Sequence, residues 1–255
     1  MAYAVLGALA IGLSLGLLGS GGSILTVPVL VYLVGQPEKL AIAGSLAIVG
    51  GIALVGALPR MWRREVDWRS VFWFGLPGMV GTVAGSALSR HVPGAVQLFV
   101  FALVMWVAAA MMWRPPPATP AIREPRPRRW IMVDGLAVGV LTGIVGIGGG
   151  FLILPALVLL GGLAMHRAVG TSLTIIAINA FSGFAKHASL LAAAGLMLDW
   201  RLIGTFTAVG AGGSLVGLRL AGRLPQHRLR RIFSLFLATM GLFIVVQTVP
   251  RLWLH

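Results

Sequence analysis

Hydrophobic residues fall into eight runs along the chain, separated by short polar or glycine- and proline-rich stretches. A helix needs about 20 residues to cross the hydrocarbon core of a bilayer. Six runs have a length that suits one crossing, whereas the first and the fifth, at about 30 residues, are too long for one. The pattern predicts an all-α polytopic membrane protein. The runs cover residues 3–34, 40–59, 71–89, 94–113, 131–160, 168–185, 202–222 and 232–249.

Each of the two long runs is interrupted near its middle by a cluster of glycines. Residues 16–23 read Gly-Leu-Leu-Gly-Ser-Gly-Gly-Ser, and residues 143–150, which lie 127 positions later, read Gly-Ile-Val-Gly-Ile-Gly-Gly-Gly. Pro28 and Pro155 follow the two clusters at the same spacing. Glycines here stop a helix and leave backbone N–H and C=O groups that need partners where water is absent. We therefore predict that each long run folds back at its glycines as a re-entrant hairpin.

The match between the two clusters extends through both halves of the chain. Residues 12–30 and 139–157 share eight of nineteen residues without a gap. Further matches follow at corresponding places, allowing one five-residue difference in length: Ala41/Ala168, Ser45/Ser172, Leu46/Leu173, Ile48/Ile175, Asp67/Asp199, Trp68/Trp200, Arg69/Arg201, Gly78/Gly210, Gly81/Gly213, Gly85/Gly217 and Pro93/Pro225. We predict two homologous repeats, residues 1–113 and 131–255, joined by a Pro/Arg-rich linker at residues 114–130.

Two further features of the repeats predict structural roles. Glycines spaced four residues apart allow helices to pack closely, and such pairs occur at Gly12/Gly16, Gly81/Gly85 and Gly213/Gly217. Asp67 and Asp199 each precede a tryptophan where an apolar run begins. Aspartate is a favoured helix N-cap and tryptophan anchors helices at the membrane surface. We therefore expect these two aspartates to cap helices.

The distribution of positive residues favours an inverted relation between the repeats. Cytoplasmic loops of membrane proteins are enriched in Lys and Arg. If both long runs cross the membrane once, the halves are parallel and the twenty Lys and Arg residues divide twelve to eight between the two faces. If both runs are re-entrant, each repeat has three transmembrane helices, the repeats are inverted, and the division is fifteen to five. We expect the inverted arrangement, with both termini outside an inner or plasma membrane and the linker in the cytoplasm.

Composition supports a membrane protein and argues against several other classes. Only 10% of the 255 residues are charged, whereas soluble domains carry about 25%. The net charge of +14 does not predict nucleic-acid binding, because the arginines cluster in short links where they set topology and meet lipid headgroups. The chain has no Cys, its His residues are scattered, and no pair of acidic residues lies in the apolar runs. We therefore expect no enzyme activity, no metal site and no cofactor.

The paired glycine clusters resemble those of the sulfite exporter TauE/SafE family. The shared pattern is Gly-x-x-x-Gly-x-x-Gly-x-Gly-Gly-(Gly/Ser)-x-x-x-x-Pro, followed by a Ser-Leu pair and an Asp-Trp-Arg entry to a later helix, and it occurs twice here. The resemblance covers nearly the whole chain. It implies a multi-spanning transporter of small sulfur-containing anions or organic acids, such as sulfite, sulfoacetate or other sulfonates. One departure is Ser23, which stands where the second cluster has Gly150.

The glycine clusters predict an anion site built from backbone groups and hydroxyls. Folding at the glycines places the amino ends of two half-helices near mid-membrane, and such ends offer unpaired N–H groups and about half a positive charge. Neutral side-chain donors in the following spans can add to this site without the cost of a buried cation. The alternatives are that the glycines only pack helices and that the hydroxyls bond to their own helices. The candidate substrate-binding residues are Gly19, Ser20, Gly21, Gly22, Ser23, Ser45, Gly146, Ile147, Gly148, Gly149, Gly150, Thr171, Ser172, Thr174 and Asn179.

These features favour a carrier that exports small anions by alternating access around the two glycine clusters. No Asp or Glu falls well inside an apolar run, so coupling to protons or sodium has no support, and a negative-inside membrane potential drives anions outward. An anion channel would use the same donors, and an uptake permease for a sulfonate, thiosulfate or carboxylate is a further alternative. The expected partners are a small anion and the lipid bilayer, and the sequence leaves a homodimer open.

Overall fold

The computed structural model describes residues 2–89, 94–113, 127–145, 150–193 and 197–253, and every regular element within them is helical. The prediction of an all-α protein is confirmed. The helices are α1 (Ala2–Leu18), α2 (Gly21–Pro28, continued by the π-helical Val29–Leu33), α3 (Glu38–Trp62), α4 (Trp68–Ser70, the π-helical Val71–Gly75 and Leu76–Ser89), α5 (Gly94–Trp113), α6 (Arg128–Val145), α7 (Gly150–Leu159), α8 (Met165–Ala193), α9 (Trp200–Arg223) and α10 (Gln226–Trp253).

Four helices in the described part of the chain are long and apolar enough to cross a bilayer. They contain the segments Leu40–Trp62, Met165–Ala185, Trp200–Arg223 and His227–Val246. These segments lie in α3, α8, α9 and α10, so four of the six predicted single crossings coincide with candidate spans. Helices α4 and α5 also form where apolar runs predicted them.

The first long run folds back on itself at the predicted glycines. Helix α1 ends at Leu18, and α2 begins three residues later and returns antiparallel along it. The two helices lie so close that a Cβ added at Gly22 would be 2.3 Å from the carbonyl oxygen of Ile11. At the far end of the hairpin, a Cβ at Gly7 would be 2.8 Å from Val29 Cγ1. The second long run is likewise divided, into α6 and α7, and residues 146–149 between them lie outside the described residues.

Helix α1 packs on α9, and α6 packs on α4, with backbone against backbone. A Cβ at Gly12 would be 1.9 Å from the carbonyl oxygen of Gly210, and a Cβ at Gly139 would be 2.2 Å from that of Gly78. Both pairs of helices run parallel. The predicted packing role of small residues is confirmed for Gly12, Gly16, Gly81, Gly213 and Gly217, each of which has no room for a side chain against the neighbouring backbone. Each half of the chain thereby contributes a helix to a close contact with the other half.

Helices α3 and α8 pack against each other in opposite directions at the centre of the bundle. At one end, a Cβ at Gly183 would be 3.4 Å from Leu46 Cδ1, and at the other, a Cβ at Gly170 would be 3.3 Å from Arg60 Cβ. Ser45 of α3 and Ser172 of α8 stand at corresponding places in the two predicted repeats. Two helices that match in sequence therefore run antiparallel.

Helices α5 and α10, which also occupy matching places in the two halves, are antiparallel as well. Ser234 Oγ donates to the carbonyl oxygen of Ala109 at 2.7 Å, and Arg230 Nε donates to that of Met112 at 2.7 Å. These hydrogen bonds from side chain to backbone fix the register of α10 on α5.

The two predicted helix caps are confirmed. The Asp67 carboxylate accepts the backbone N–H of Ser70 at 3.1 Å at the start of α4. The Asp199 carboxylate accepts the N–H of Leu202 at 3.0 Å at the start of α9. Each bond satisfies one of the N–H groups that a helix start leaves without an acceptor.

Candidate functional site

The chain reverses between α1 and α2 at Gly19, and only glycine fits there. Gly19 has a φ of +73°, which is a left-handed conformation that costs other L-residues about 1–2 kcal/mol. A Cβ at Gly19 would also lie 2.8 Å from Val169 Cγ1 and 2.9 Å from Ser172 Oγ on α8. The turn is therefore pressed against the early turns of α8, and the start of α2 is fixed there.

Ser20 presents a buried hydroxyl at the positive end of α2. It occupies the N-cap position but makes no capping hydrogen bond through its side chain. Ser20 is 0% exposed, and its Oγ has no hydrogen-bond partner among the described residues. The N–H groups in the first turn of α2 have no acceptor within the helix. The buried Ser20 hydroxyl and the oriented N–H groups of the first turn thus lie together at the start of α2. This arrangement of donors suits an anion.

Two neighbouring serines hold this turn in position. Ser172 Oγ lies 2.9 Å from the carbonyl oxygen of Gly19 and 3.0 Å from that of Val169 in its own helix, and it can donate to either. Ser23 Oγ donates to the carbonyl oxygen of Ser20 at 2.7 Å. A serine hydroxyl has a single hydrogen to donate. Since both hydrogens have carbonyl acceptors, Ser172 and Ser23 stabilise the turn, and the Ser20 hydroxyl is left as the side-chain donor without an acceptor.

The start of α7 meets the start of α2 at this place. Gly150 is the first residue of α7, and a Cβ there would lie 3.0 Å from Ser23 Oγ and 2.9 Å from Ile176 Cδ1. Ile176 lies one turn beyond Ser172, near the middle of the candidate span Met165–Ala185. The predicted Gly146, Ile147, Gly148 and Gly149 lie outside the described residues.

The hydroxyls of the two predicted threonines on α8 do not bond to the turn at Gly19. Thr171 Oγ1 accepts the N–H of Asp67 at 2.9 Å and donates to the carbonyl oxygen of Arg167 at 2.7 Å. Thr174 Oγ1 donates to the carbonyl oxygen of Gly170 at 3.0 Å. Thr171 therefore joins α8 to the segment before α4, and Thr174 bonds back to its own helix.

Ser45 lies away from the start of α2. Its hydroxyl donates to the carbonyl oxygen of Ile42 at 2.7 Å within α3. A Cβ at the adjacent Gly44 would be 3.9 Å from Leu30 Cδ1, which places this part of α3 beside the later turns of α2. Since α3 and α8 are antiparallel, Ser45 and its matching Ser172 lie on opposite sides of the crossing point.

Asn179 lies seven residues beyond Ser172 on α8, about 10 Å along a helix that rises about 1.5 Å per residue. Its Oδ1 is buried without a hydrogen-bond partner among the described residues. Its Nδ2 is 4.0 Å from the place where a Cβ on Gly78 would stand, beside the contact between α4 and α6. Asn179 therefore supplies another unsatisfied polar group inside the bundle, on the same helix as Ser172 but not at the turn.

A buried arginine, which follows directly after the apolar run 40–59, lies near the site. Arg60 is 3% exposed, and its Nη1 donates to Glu65 Oε2 and to the carbonyl oxygen of His166, both at 3.1 Å. Its Nε has no partner among the described residues. The signal in the sequence is Glu65, a carboxylate five residues after Arg60 in an otherwise basic stretch. The pair connects the end of α3 to the start of α8, about two helical turns before Ser172.

The turn presents hydrogen-bond donors of a kind that suits a small anion. Within the described ranges, no three His, Asp or Glu side chains come together as a metal ion would require. The groups at the turn are a hydroxyl and backbone N–H groups, which donate hydrogen bonds and do not titrate near neutral pH.

Comparison with known proteins places the chain among membrane transporters. The profile of the family described as sulfite exporter TauE/SafE matches residues 4–244. A "probable membrane transporter protein" of Xylella fastidiosa strain 9a5c is 32% identical over 247 residues, covering 92% of this chain and 91% of the relative. The "probable membrane transporter protein MJ0441" of Methanocaldococcus jannaschii is 23% identical over 253 residues, covering 92% and 93%. No solved structure matches the chain.

Proposed function

The chain belongs to the sulfite exporter TauE/SafE family of membrane transporters, and from this membership we propose that it exports small sulfur-containing anions. Sulfite, sulfoacetate and other organosulfonates are the substrates that fit this proposal. Each presents several oxygen atoms that accept hydrogen bonds, and each is an anion near neutral pH. In this proposal neutral donors and helix dipoles bind the substrate at the turn, and the nearby Arg60 is paired with Glu65.

The observation that carries the proposal is the unpartnered Ser20 hydroxyl at the start of α2. A buried donor without an acceptor costs about 1–3 kcal/mol in a folded protein, and a bound anion would remove that cost. Gly150 at the start of α7 lies beside Ser23, so a second helix end faces the same place. Two half-helices whose amino ends meet near mid-membrane are a recurring way to bind anionic groups in transporters.

Alternating access follows from an inverted arrangement of two homologous halves. The antiparallel packing of α3 on α8 and of α5 on α10 supports that arrangement, because matching helices would run parallel if the halves were related without inversion. In such transporters one half or bundle rocks against the other around a fixed site. The turn at Gly19 comes from the first half and is held by Ser172 from the second, so movement between the halves would act directly on the site.

Export needs no coupled ion. An anion that leaves a negative-inside cell gains about 2.3 kcal/mol per charge for each 100 mV of membrane potential. No Asp or Glu falls well inside an apolar run of the sequence, and coupled carriers use such carboxylates as proton or cation sites. The membrane potential is therefore the proposed driving force.

Substitution Ser20→Ala tests the site. We expect it to weaken binding of sulfite, or of whichever sulfonate the protein binds, about tenfold or more, since a hydrogen bond to a charged group contributes about 1.5–3 kcal/mol. Thermal stability without anion should stay equal or rise, because the variant removes a buried hydroxyl that has no partner. Calorimetry with a panel of sulfur anions and thermal unfolding would measure the two effects.

Ser214→Ala is the matched control. Ser214 is also 0% exposed and its Oγ is also without a partner, but it lies in the contact between α9 and α1, where its carbonyl oxygen meets Gly16. The control should bind anions like the wild type. Equal losses in both variants, or no loss in Ser20→Ala, would show that the start of α2 is not the anion site.

A further inference from the structure

A cleft of about 320 Å³ opens between the ends of α3 and α9. Three arginines line it: Arg63 just after α3, and Arg219 and Arg223 in the last turns of α9. The remainder of its wall is apolar and includes Leu215 and Leu218 of α9. The two leucines and Arg219 fall on one face of α9, since residues three and four apart on a helix are neighbours.

The three arginines have no counter-charge in the described part of the protein. None of them makes an ion pair there, and no acidic residue lines the cleft. The nearby Glu65 is already paired with Arg60 at 3.1 Å. Three cations that converge on one cleft repel one another, so an anion bound among them would stabilise the arrangement.

The three arginines lie at the ends of two candidate membrane spans. The span in α9 is Trp200–Arg223 and the span in α3 is Leu40–Trp62, directly before Arg63. The arginines therefore lie at the level of the lipid headgroups, and the leucines lie deeper, at the level of the acyl chains. The cleft also has room, because a Cβ at Gly222 would meet nothing within 4 Å.

We propose that this cleft binds the phosphate headgroup of an anionic phospholipid, with an acyl chain lying over Leu215 and Leu218. A guanidinium presents paired N–H donors that match phosphate oxygens, and basic pockets between transmembrane helices are suited to anionic headgroups. The apolar wall explains why the ligand is a lipid rather than a free ion. The bound lipid joins the ends of α3 and α9. None of the residues that line the cleft belongs to the proposed transport site, and the test does not depend on transport.

The test uses the full-length protein in nanodiscs of phosphatidylcholine with a graded fraction of phosphatidylglycerol, followed by native mass spectrometry of the lipids that stay bound. The wild type should retain phosphatidylglycerol in preference to phosphatidylcholine. Each arginine near a headgroup contributes about fivefold to affinity, so Arg219→Gln with Arg223→Gln should lower that preference about 25-fold. Gly222→Leu, which fills the cleft and keeps every charge, should lower it as well. The control pair Arg228→Gln with Arg231→Gln, at exposed positions of α10, should leave it unchanged.

Three results would overturn the proposal. An equal loss in the control pair would mean that surface charge alone attracts the lipid. Full retention in Gly222→Leu would mean that the lipid does not enter the cleft. The third result concerns inorganic phosphate. If phosphate stabilises the wild type against heat as strongly as phosphatidylglycerol does, and if Arg219→Gln with Arg223→Gln abolishes this stabilisation, the cleft binds a free ion.

Discussion

Replacing Gly19 by alanine will lower the free energy of unfolding by about 2–5 kcal/mol and abolish anion binding. The left-handed conformation at φ +73° accounts for about 1–2 kcal/mol of this loss. The added methyl group must also displace Val169 and Ser172, which would lie 2.8 Å and 2.9 Å away, and overpacking of this kind costs about 1–3 kcal/mol. Because Ser172 holds the turn, its displacement moves Ser20 and the start of α2. Thermal or chemical unfolding together with calorimetry would measure both effects.

Gly35→Ala is the control for Gly19→Ala. It separates the destabilisation caused by backbone strain from that caused by the contact with α8. Gly35 has a φ of +76°, but it is exposed and a Cβ there would meet nothing within 4 Å. We expect this variant to lose only about 1–2 kcal/mol and to bind anions normally. If Gly19→Ala behaves like Gly35→Ala, the contact of the turn with α8 has no part in holding the site.

Replacing Gly12 by alanine will destabilise the protein by about 4 kcal/mol or more, which is exceptional for a single methyl group. The added Cβ would stand 1.9 Å from the carbonyl oxygen of Gly210 and 2.7 Å from its Cα. Both are backbone atoms, so no side chain can rotate to make room and α1 must move away from α9. Close packing of small residues is a main source of helix association in membranes. We expect a sharp fall in the yield of monodisperse protein and in its unfolding temperature.

Gly212→Ala is the control for this contact on α9. A Cβ at Gly212 would meet nothing within 4 Å. Alanine is favoured over glycine inside a helix by about 0.5–1 kcal/mol, so this variant should be as stable as the wild type or slightly more so. A Gly12→Ala variant that folds like Gly212→Ala would contradict the close contact between α1 and α9.

The sequence predicts the helices, their breaks and their caps because these features depend on local chemistry. Apolar runs mark the helices, and the glycine cluster at residues 16–23 ends α1 where the prediction placed the break. Asp67 and Asp199 cap helices because a carboxylate before a helix start reaches a backbone N–H within its own turn. Small residues such as Gly12 were assigned to packing by spacing alone, and the structure supplies the partner, Gly210.

The sequence does not predict which hydroxyls lack a hydrogen-bond acceptor. This depends on how each helix is rotated about its axis and on which part of a neighbouring helix it contacts. Ser20, Ser172 and Thr171 are all candidate donors in the sequence because each carries a hydroxyl. The packing of α8 gives Thr171 the N–H of Asp67 as a partner and gives Ser172 the carbonyl oxygen of Gly19 as an acceptor, while Ser20 has no partner. The charge of Arg60 predicts a loop position, but contacts with α8, including a hydrogen bond to the carbonyl oxygen of His166, bury it.

The most direct test of the proposed site is to locate a bound anion. Selenite is a close analogue of sulfite, and its selenium gives an anomalous signal in crystals of the methionine-containing wild-type protein. The proposed site predicts a selenium peak about 3–4 Å from Ser20 Oγ, with the selenite oxygens at hydrogen-bond distance from that hydroxyl and from the first N–H groups of α2. A peak confined to the cleft at Arg63, Arg219 and Arg223, with none at the start of α2, would contradict it.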